Sequence, residues 1–261
     1  MHIGICTSVE HAARLPSDAG VDFIEENLQA YLDPLLDEAA FEERFRSIPQ
    51  TPVPVRSANR FLPDALKCTG ARVEEAALDR YAAAAFVRAA RAGVRTVVFG
   101  SGGARHLVPG FPKATAFGQF IDLLRRLGPL AGEHGITVVI EPLNSGECNF
   151  INTLAEGARV VQAANHPNIR LLADLFHMRR DGQSPEDLVR HAALLAHVHI
   201  AEDRERACPG THGDDFRPYF AALRKTDYRG PIAIECRWTD LPAQAPGAVR
   251  ALREQLSECG F

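Results

Sequence analysis

Eight short runs rich in apolar and β-branched residues recur along the 261-residue chain, and helical patterns separate them. They occupy residues 2–9, 21–28, 53–59, 96–102, 137–143, 169–175, 195–201 and 231–237. Several runs are continuously apolar rather than alternating, which is typical of strands buried on both faces of a parallel sheet. Because a (β/α)8 barrel typically needs about 250 residues, this pattern predicts a single (β/α)8 TIM barrel over residues 1–261.

The segments between the runs carry helical periodicity and glycine stop signals. Apolar residues repeat at helical spacing in three of them: Leu78, Ala82, Ala85 and Ala89; Phe117, Ile121 and Leu124; and Val249, Leu252 and Leu256. Gly93 and Gly135 are predicted to cap helices that lead directly into strands. A doubly wound open sheet is the competing fold, but the segment "ICTSVEHAARLP" lacks the glycine fingerprint that such a sheet usually carries after its first strand.

Composition restricts the class of protein and its partners. The net charge is −4 with acidic and basic residues intermixed, so no basic surface for nucleic acid is expected. Neither a signal peptide nor a run of about 18 apolar residues is evident, so no membrane partner is expected. The six cysteines lie far apart without a C-x-x-C pair, which favours a reduced, cytoplasmic protein. A homo-oligomer remains open at this stage.

Four of the runs end on side chains that can bind hard metal ions: Glu141, Asp174, His199 and Glu235. They are separated by 33, 25 and 36 residues, each close to one strand-plus-helix unit. In a barrel, the carboxyl ends of the strands meet at one face, where the active site lies. Three carboxylates and one imidazole suit Mn²⁺ or Mg²⁺, with Co²⁺ as a further candidate. One acid at a strand end is usually the first solvated residue of a loop, but four on consecutive strands predict a metal site.

Longer motifs surround these residues. The segments "EPLNSGECNFINT", "ADLFHM", "HVHIAEDRERACPGTHGDDF" and "IAIECRW" resemble the signature segments of the xylose-isomerase-like (AP endonuclease family 2) barrel superfamily. The resemblance is greatest to its ketose 3-epimerases and hydroxypyruvate-isomerase-like sugar isomerases, and it extends through "NRFLPDALKCTG" and "VVFGSGGARHLVPGF". It implies a (β/α)8 barrel in which Glu141, Asp174, His199 and Glu235 bind one divalent cation, commonly manganese.

The same resemblance implies substrate-binding roles for Glu147, His177 and an arginine after the histidine strand. Where the family usually writes "AENDR", this chain writes "AEDRER", so two arginines compete for that role. Arg206 stands three residues before the proline of "PGTHG", as the family arginine does, whereas Arg204 is nearer the expected distance from the histidine strand. The proline anchors the alignment and favours Arg206.

The chemistry implied is proton transfer next to a ketone. A divalent cation would stabilise the enediolate, and Glu141 and Glu235 would act as the acid/base pair from two strands. We therefore expect a metal-dependent sugar isomerase or epimerase that acts on a ketose or small hydroxy-ketone. A dehydratase of a keto-inositol or dehydroshikimate-like substrate is the alternative. An abasic-site endonuclease is disfavoured, because its metal cluster needs histidines that the second and third runs lack. A non-catalytic binding protein is disfavoured because all four ligands are present.

Two further features have open roles. Glu25 ends the second run and either contacts the substrate or is a solvated acid that faces a helix. The segment "FGSGGAR" after the fourth run could bind a phosphate through its backbone amides, but a tight turn is the more common role of such glycines. The sequence does not determine the sugar, its phosphorylation state or the type of proton transfer.

Overall fold

The computed structural model describes residues 1–261 and contains one closed barrel of eight parallel strands. The strands are β1 (Ile3–Cys6), β2 (Phe23–Asn27), β3 (Val55–Asn59), β4 (Thr96–Phe99), β5 (Thr137–Ile140), β6 (Ile169–Asp174), β7 (Leu195–Ile200) and β8 (Ile232–Ile234). Each strand pairs with the next in chain order, and β8 closes on β1 with Ile3 opposite Ile232. Every predicted run contains one strand, so the predicted (β/α)8 barrel is confirmed.

Helices follow the strands and cover the outside of the barrel. They are α1 (Val9–Ala12), α2 (Leu28–Tyr31), α3 (Glu38–Ser47), α4 (Glu75–Arg91), α5 (Gly102–Arg105), α6 (Lys113–Glu133), α7 (Leu154–Ala164), α8 (Leu175–Arg180), α9 (Pro185–His191), α10 (Arg217–Lys225) and α11 (Leu241–Glu258). Short 3₁₀ helices span Ala192–Leu194 and Arg204–Arg206. None of the helices combines the length and the apolar character that crossing a bilayer requires.

Local sequence signals set the helix ends. Gly93 and Gly135 have φ angles of 81° and 65°, so they end α4 and α6 in the left-handed conformation just before β4 and β5. At the other end of a helix, the Thr153 side chain accepts a hydrogen bond from the backbone of Glu156 and caps α7. Ser184 and Asp187 form a capping box at the start of α9. The glycine caps expected from the sequence are confirmed.

Strand alternation separates an outer apolar layer from the barrel interior. Phe99 packs outward against Phe120 of α6, with ring centroids 5.0 Å apart, and belongs to the main apolar cluster. Its neighbour Val98 belongs instead to a separate small cluster with Val139 and Leu172. Since successive side chains of a strand point to opposite faces, this small cluster lies inside the barrel. The residues two positions further along these strands therefore point into the barrel mouth.

Candidate metal centre and substrate pocket

The four predicted metal ligands meet at the carboxyl end of the barrel. Asp174 is the last residue of β6, His199 lies next to the end of β7, and Glu141 and Glu235 directly follow β5 and β8. Each offers one ligand atom, and these atoms all lie within 4.8 Å of one another. Asp174, His199 and Glu141 are buried, whereas Glu235 is partly exposed. Strand register thus brings together four groups that are far apart in the chain.

The contacts within this group suit a divalent cation. Asp174 Oδ1 accepts the backbone N–H groups of Phe176 and His177 at 2.7 and 3.1 Å, whereas its buried Oδ2 has no hydrogen-bond partner. His199 Nδ1 lies 3.0 Å from Glu141 Oε1 and 3.6 Å from Glu235 Oε2. A buried, unpaired carboxylate oxygen is costly, and a cation would complete its coordination. Three carboxylates and one imidazole make a donor set suited to a hard divalent metal.

The pKa values of the acidic residues in this group reflect several carboxylates buried close together. Burial raises the pKa of Glu141, and the nearby Glu235 adds to the rise although a hydrogen bond with His199 opposes it. Burial disfavours the charged form of Asp174, but the positive charges of His177 and Arg206 more than offset it and lower the pKa. A cation placed among these groups would compensate the charge that burial makes expensive.

Two features of "FGSGGAR" shape the site around Glu141. A Cβ at Gly100 would overlap Glu141 Oε2, so glycine at this position leaves room for the carboxylate where it lies. Arg105 is fully buried, and its guanidinium donates to the backbone carbonyls of Phe99, Glu141 and Ile151 at 3.2, 2.7 and 3.5 Å. The glycine-rich segment therefore supports the metal centre through close packing and through an arginine that ties the ends of β4 and β5 together.

The residues predicted to bind substrate oxygens lie beside the ligands. Asn144 links two of them, since its Nδ2 lies 3.0 Å from Glu147 Oε1 and 2.7 Å from His177 Nδ1. His177 Nε2 is 3.5 Å from the unpaired oxygen of Asp174. Asn144 was not singled out in the sequence, although it lies on the same loop after β5 as Glu147. The result is a chain of polar groups that orients His177 toward the metal centre.

The structure places Arg206 in the site and Arg204 outside it. Arg206 donates to the carboxylate of Glu235 and, through Nε, to its backbone carbonyl at 3.2 Å. Its guanidinium also lies 3.5 Å from Asp174, 3.6 Å from Glu147 and 4.7 Å above the ring of Phe176. Burial disfavours the charged form, but the surrounding carboxylates, with Glu235 first, raise the pKa of Arg206. The Arg204 side chain is 72% exposed and contacts Glu205.

A cavity of about 170 Å³ opens above the metal ligands. Glu141, Glu147, His177, Arg206 and Glu235 line one side of it. Further polar lining residues come from the first half of the chain: Gln29, Asn59, Arg60, Asp64 and Ser101. These residues were not predicted, although Asn59 ends β3 and Ser101 follows β4, so the strand-end rule could have found both. The volume and the polar lining fit a small polyhydroxylated molecule.

A family model described as a xylose isomerase-like TIM barrel matches residues 13–258. The chain belongs to this family. Over 116 residues it is 36% identical to the L-ribulose 3-epimerase of Methylomonas sp. (strain DH-1), a match that covers 44% of this chain and 40% of the relative. Over 126 residues it is 36% identical to the 3-dehydro-D-guloside 4-epimerase of Escherichia coli (strain K12), covering 48% of each. The matched stretches thus span less than half the length of these relatives.

The fold likeness extends over nearly the whole chain. A solved D-allulose 3-epimerase from Methylomonas sp. superimposes with a TM-score of 0.81 at 24% identity, covering 98% of each chain. At this identity the likeness shows the fold alone. It agrees with the closed barrel described above.

In this xylose isomerase-like barrel, both sequence-based alternatives for Glu25 are wrong. Glu25 is neither solvated nor part of the cavity lining, because it is fully buried inside the barrel. Its two carboxylate oxygens lie 2.8 Å from His199 Nε2 and 2.9 Å from His197 Nε2. Burial opposes ionisation of Glu25, but its interactions with the imidazoles of His199 and His197 outweigh it and hold the pKa of this carboxyl well below its usual value.

Proposed function

We propose that the protein is a divalent-metal-dependent sugar epimerase or isomerase that acts on a ketose or small hydroxy-ketone. The observation that carries the proposal is the convergence of Glu141, Asp174, His199 and Glu235 within 4.8 Å, directly below a polar cavity. The names of the two curated relatives, both sugar epimerases, support it. The six cysteines are free, which suits the reducing cytoplasm.

Glu141, Asp174, His199 and Glu235 would hold one cation, with Mn²⁺ preferred and Mg²⁺ or Co²⁺ as alternatives. When bound, the cation supplies Lewis acidity, which makes the proton next to a ketone easier to remove. The unpaired Oδ2 of Asp174 and the imidazole Nδ1 of His199 are the two atoms whose surroundings most clearly favour a ligand role.

Two carboxylates are available to move the proton. Glu141 follows β5 and Glu235 follows β8, so they enter the site from strands three places apart around the barrel. One can remove a proton from one face of a carbon while the other returns a proton to the opposite face, which inverts that carbon. Burial and the nearby Glu235 raise the pKa of Glu141, and a bound cation would oppose this rise.

His177 and Arg206 would hold the oxygens of the substrate. His177 is held by Asn144 on one ring nitrogen and presents the other toward the metal centre. Arg206 stacks over Phe176, so its guanidinium plane is fixed and can donate in a defined direction. Glu147 is 46% exposed at the cavity edge and can accept a substrate hydroxyl.

The function is tested by incubating Mn²⁺-loaded protein with ketoses, aldoses and keto acids in deuterated water. Solvent deuterium on C3 or C4 of a keto-sugar identifies an epimerase, and deuterium on C1 or C2 an isomerase. Loss of water from a keto-inositol or a dehydroshikimate-like acid would establish the dehydratase instead. If no substrate of these classes incorporates deuterium or loses water, the proposed function is wrong.

The metal site is tested separately with Asp174→Ala. Elemental analysis and calorimetry should show one divalent ion per wild-type chain and its loss or strong weakening in the variant. Asp122→Ala is the matched control, because the Asp122 side chain is 62% exposed and contacts only Arg125 in the same helix. Equal metal content and affinity in Asp174→Ala would refute this site.

A further inference from the structure

A buried carboxylate below the metal centre has no assigned role. Glu25 is the middle residue of β2, not its last as the sequence suggested; it lies on the inner side of the barrel and is 0% exposed. From the geometry we infer that Glu25 is a positioning residue: it holds the imidazole of His199 in the orientation and tautomer that turn Nδ1 toward the metal ligands. This inference rests on the metal site of the proposed function.

Four neighbours surround the Glu25 carboxylate: the Cys6 thiol and the Ser57 hydroxyl donate hydrogen bonds to it, and two imidazole nitrogens form close charge contacts. Oε1 lies 2.8 Å from His199 Nε2 and accepts from the Cys6 thiol at 3.3 Å. Oε2 lies 2.9 Å from His197 Nε2 and accepts from the Ser57 hydroxyl at 2.7 Å. These groups come from β1, β3 and β7, so the carboxylate is fixed from three strands. It therefore cannot rotate into the cavity to contact a substrate.

This arrangement determines what His199 can do. Both ring nitrogens of His199 face a carboxylate, Nδ1 that of Glu141 and Nε2 that of Glu25. A carboxylate offers only acceptor lone pairs, and with a cation bound by Glu141 and Nδ1, Nε2 is the nitrogen left to carry the proton. When Nε2 carries the proton of a neutral imidazole, Nδ1 keeps its lone pair. Nδ1 is the nitrogen that lies 3.0 Å from Glu141 Oε1, among the other metal ligands. Carboxylates that accept from the remote N–H of a metal-binding histidine fix the ring and strengthen the ligand in many metal sites.

His197 provides a further contact that holds Glu25 in place. It precedes His199 by two residues on β7, and the rings are 5.1 Å apart and nearly perpendicular. His197 is 0% exposed and reaches the second oxygen of the same carboxylate. Its role is to hold Glu25, because its ring is not among the groups that meet at the metal centre.

A second metal ion is the rival explanation. Ligand atoms of Cys6, Glu25 and His199 also lie within 4.8 Å of one another. Such a site would need Nε2 of His199 as a ligand while Nδ1 serves the first site, which requires a fully deprotonated imidazole. The thiol of Cys6 already donates to Glu25, and burial and the Glu25 charge raise its pKa. The surroundings of Glu25 are therefore better explained by contacts that hold the carboxylate and the His199 ring than by a second metal ion.

The test compares Glu25→Gln with Glu26→Gln by calorimetric titration with Mn²⁺ alone. Glu26 is the matched control: it is the next residue, is also buried, and accepts from the backbone N–H groups of Val9 and Asn27. Loss of an outer carboxylate typically weakens metal binding about 10- to 100-fold. We expect this loss in Glu25→Gln and less than a twofold change in Glu26→Gln.

A second measurement needs no variant, in case Glu25→Gln does not fold. In ¹⁵N-histidine-labelled wild-type protein, titration with Mg²⁺ should shift the Nδ1 resonance of His199. The Nε2 resonance should keep a slowly exchanging, low-field proton. A larger metal-induced shift at Nε2 than at Nδ1, or the absence of a proton at Nε2, would overturn the inference.

The outcomes separate this inference from the proposed function. If Asp174→Ala loses Mn²⁺ while Glu25→Gln binds Mn²⁺ as wild type does, the metal site stands and the role of Glu25 is refuted. If Asp174→Ala also binds normally, the proposed metal site itself has failed. Two ions per chain, one of which is lost in Cys6→Ser, would make Glu25 a ligand and overturn the positioning role.

Discussion

Replacing Arg206 should damage catalysis without removing the metal, and the structure gives the size of the effect. Nε donates to the backbone carbonyl of Glu235 at 3.2 Å and Nη2 to its carboxylate, whereas Nη1 lies 3.6 Å from Glu147, too far for a strong hydrogen bond. Nη1 is therefore the group free to donate to a substrate oxygen. One hydrogen bond from a charged group is worth about 1.5–3 kcal/mol. At about 1.36 kcal/mol per factor of ten, Arg206→Ala should lower kcat/KM by roughly 10- to 150-fold.

The assay measures kcat/KM on the substrate found in the deuterium experiment, together with the Mn²⁺ content of each variant. Arg206→Lys should keep the charge but lose the fixed planar donors, so we expect an intermediate loss. Arg204→Ala is the control, because its exposed side chain should contribute less than a factor of two. Mn²⁺ affinity should stay the same or increase in Arg206→Ala, since a positive charge is removed from beside the ligands. Near-normal activity of Arg206→Ala, or a tenfold loss in Arg204→Ala, would refute the placement of the arginine.

Three further predictions test other parts of the site and fold. Glu141→Gln and Glu235→Gln should each block epimerisation, while proton exchange with solvent persists on the face of the substrate that the remaining carboxylate serves. If either metal-loaded variant epimerises the substrate at the wild-type rate, the two-base mechanism is wrong. Burial raises the pKa of Glu26 from 4.5 to about 7, so its contribution to stability is present below pH 4.5 and lost as the pH rises through about 7. Between pH 4.5 and 8, the free energy of unfolding of the wild type should fall by up to ~3 kcal/mol relative to that of Glu26→Gln. Parallel pH profiles of this free energy in the two proteins would contradict the prediction. Arg105→Met removes the charged donor to the buried Glu141 carbonyl, whereas the Phe99 and Ile151 carbonyls keep backbone donors. It should cost about 1–3 kcal/mol in urea unfolding, against about 0.5 kcal/mol or less for the exposed Arg72→Met; equal losses would show that Arg105 does not brace the strands.

The barrel and the four ligand candidates could be predicted because both depend on local patterns. Continuous apolar runs mark strands buried on two faces, and Gly93 and Gly135 mark the point where a helix stops and a strand begins. Parallel strands place all their carboxyl ends at one face, so position along a strand indicates which side chains will meet. The positions of Glu141 and Asp174 at the barrel mouth could therefore be predicted without knowing which residues they contact.

The role of Glu25 depended on contacts across the barrel. β2 and β7 are not neighbours, and 174 residues separate Glu25 from His199. An acid at a strand end is solvated unless partners from other strands enclose it. Those partners, Cys6, Ser57 and His197, carry no shared pattern in the sequence. Burial and pairing are properties of the closed barrel, so spacing alone could not distinguish a solvated acid from an enclosed one.

The choice between Arg204 and Arg206 also depended partly on the sequence and partly on the tertiary structure. The sequence determined that an arginine follows the histidine strand. The spacing to the proline of "PGTHG" favoured Arg206, whereas the distance from the histidine strand favoured Arg204. In the structure, Glu205 and Arg206 adopt φ angles of 61° and 51°, which turn the backbone sharply after Arg204. Non-glycine residues seldom adopt this left-handed conformation without support from surrounding contacts. Here those contacts include the bonds of Arg206 to Glu235 and the backbone bond from Arg237 to the Arg206 carbonyl, so tertiary packing directs Arg206 into the site and leaves Arg204 in solvent.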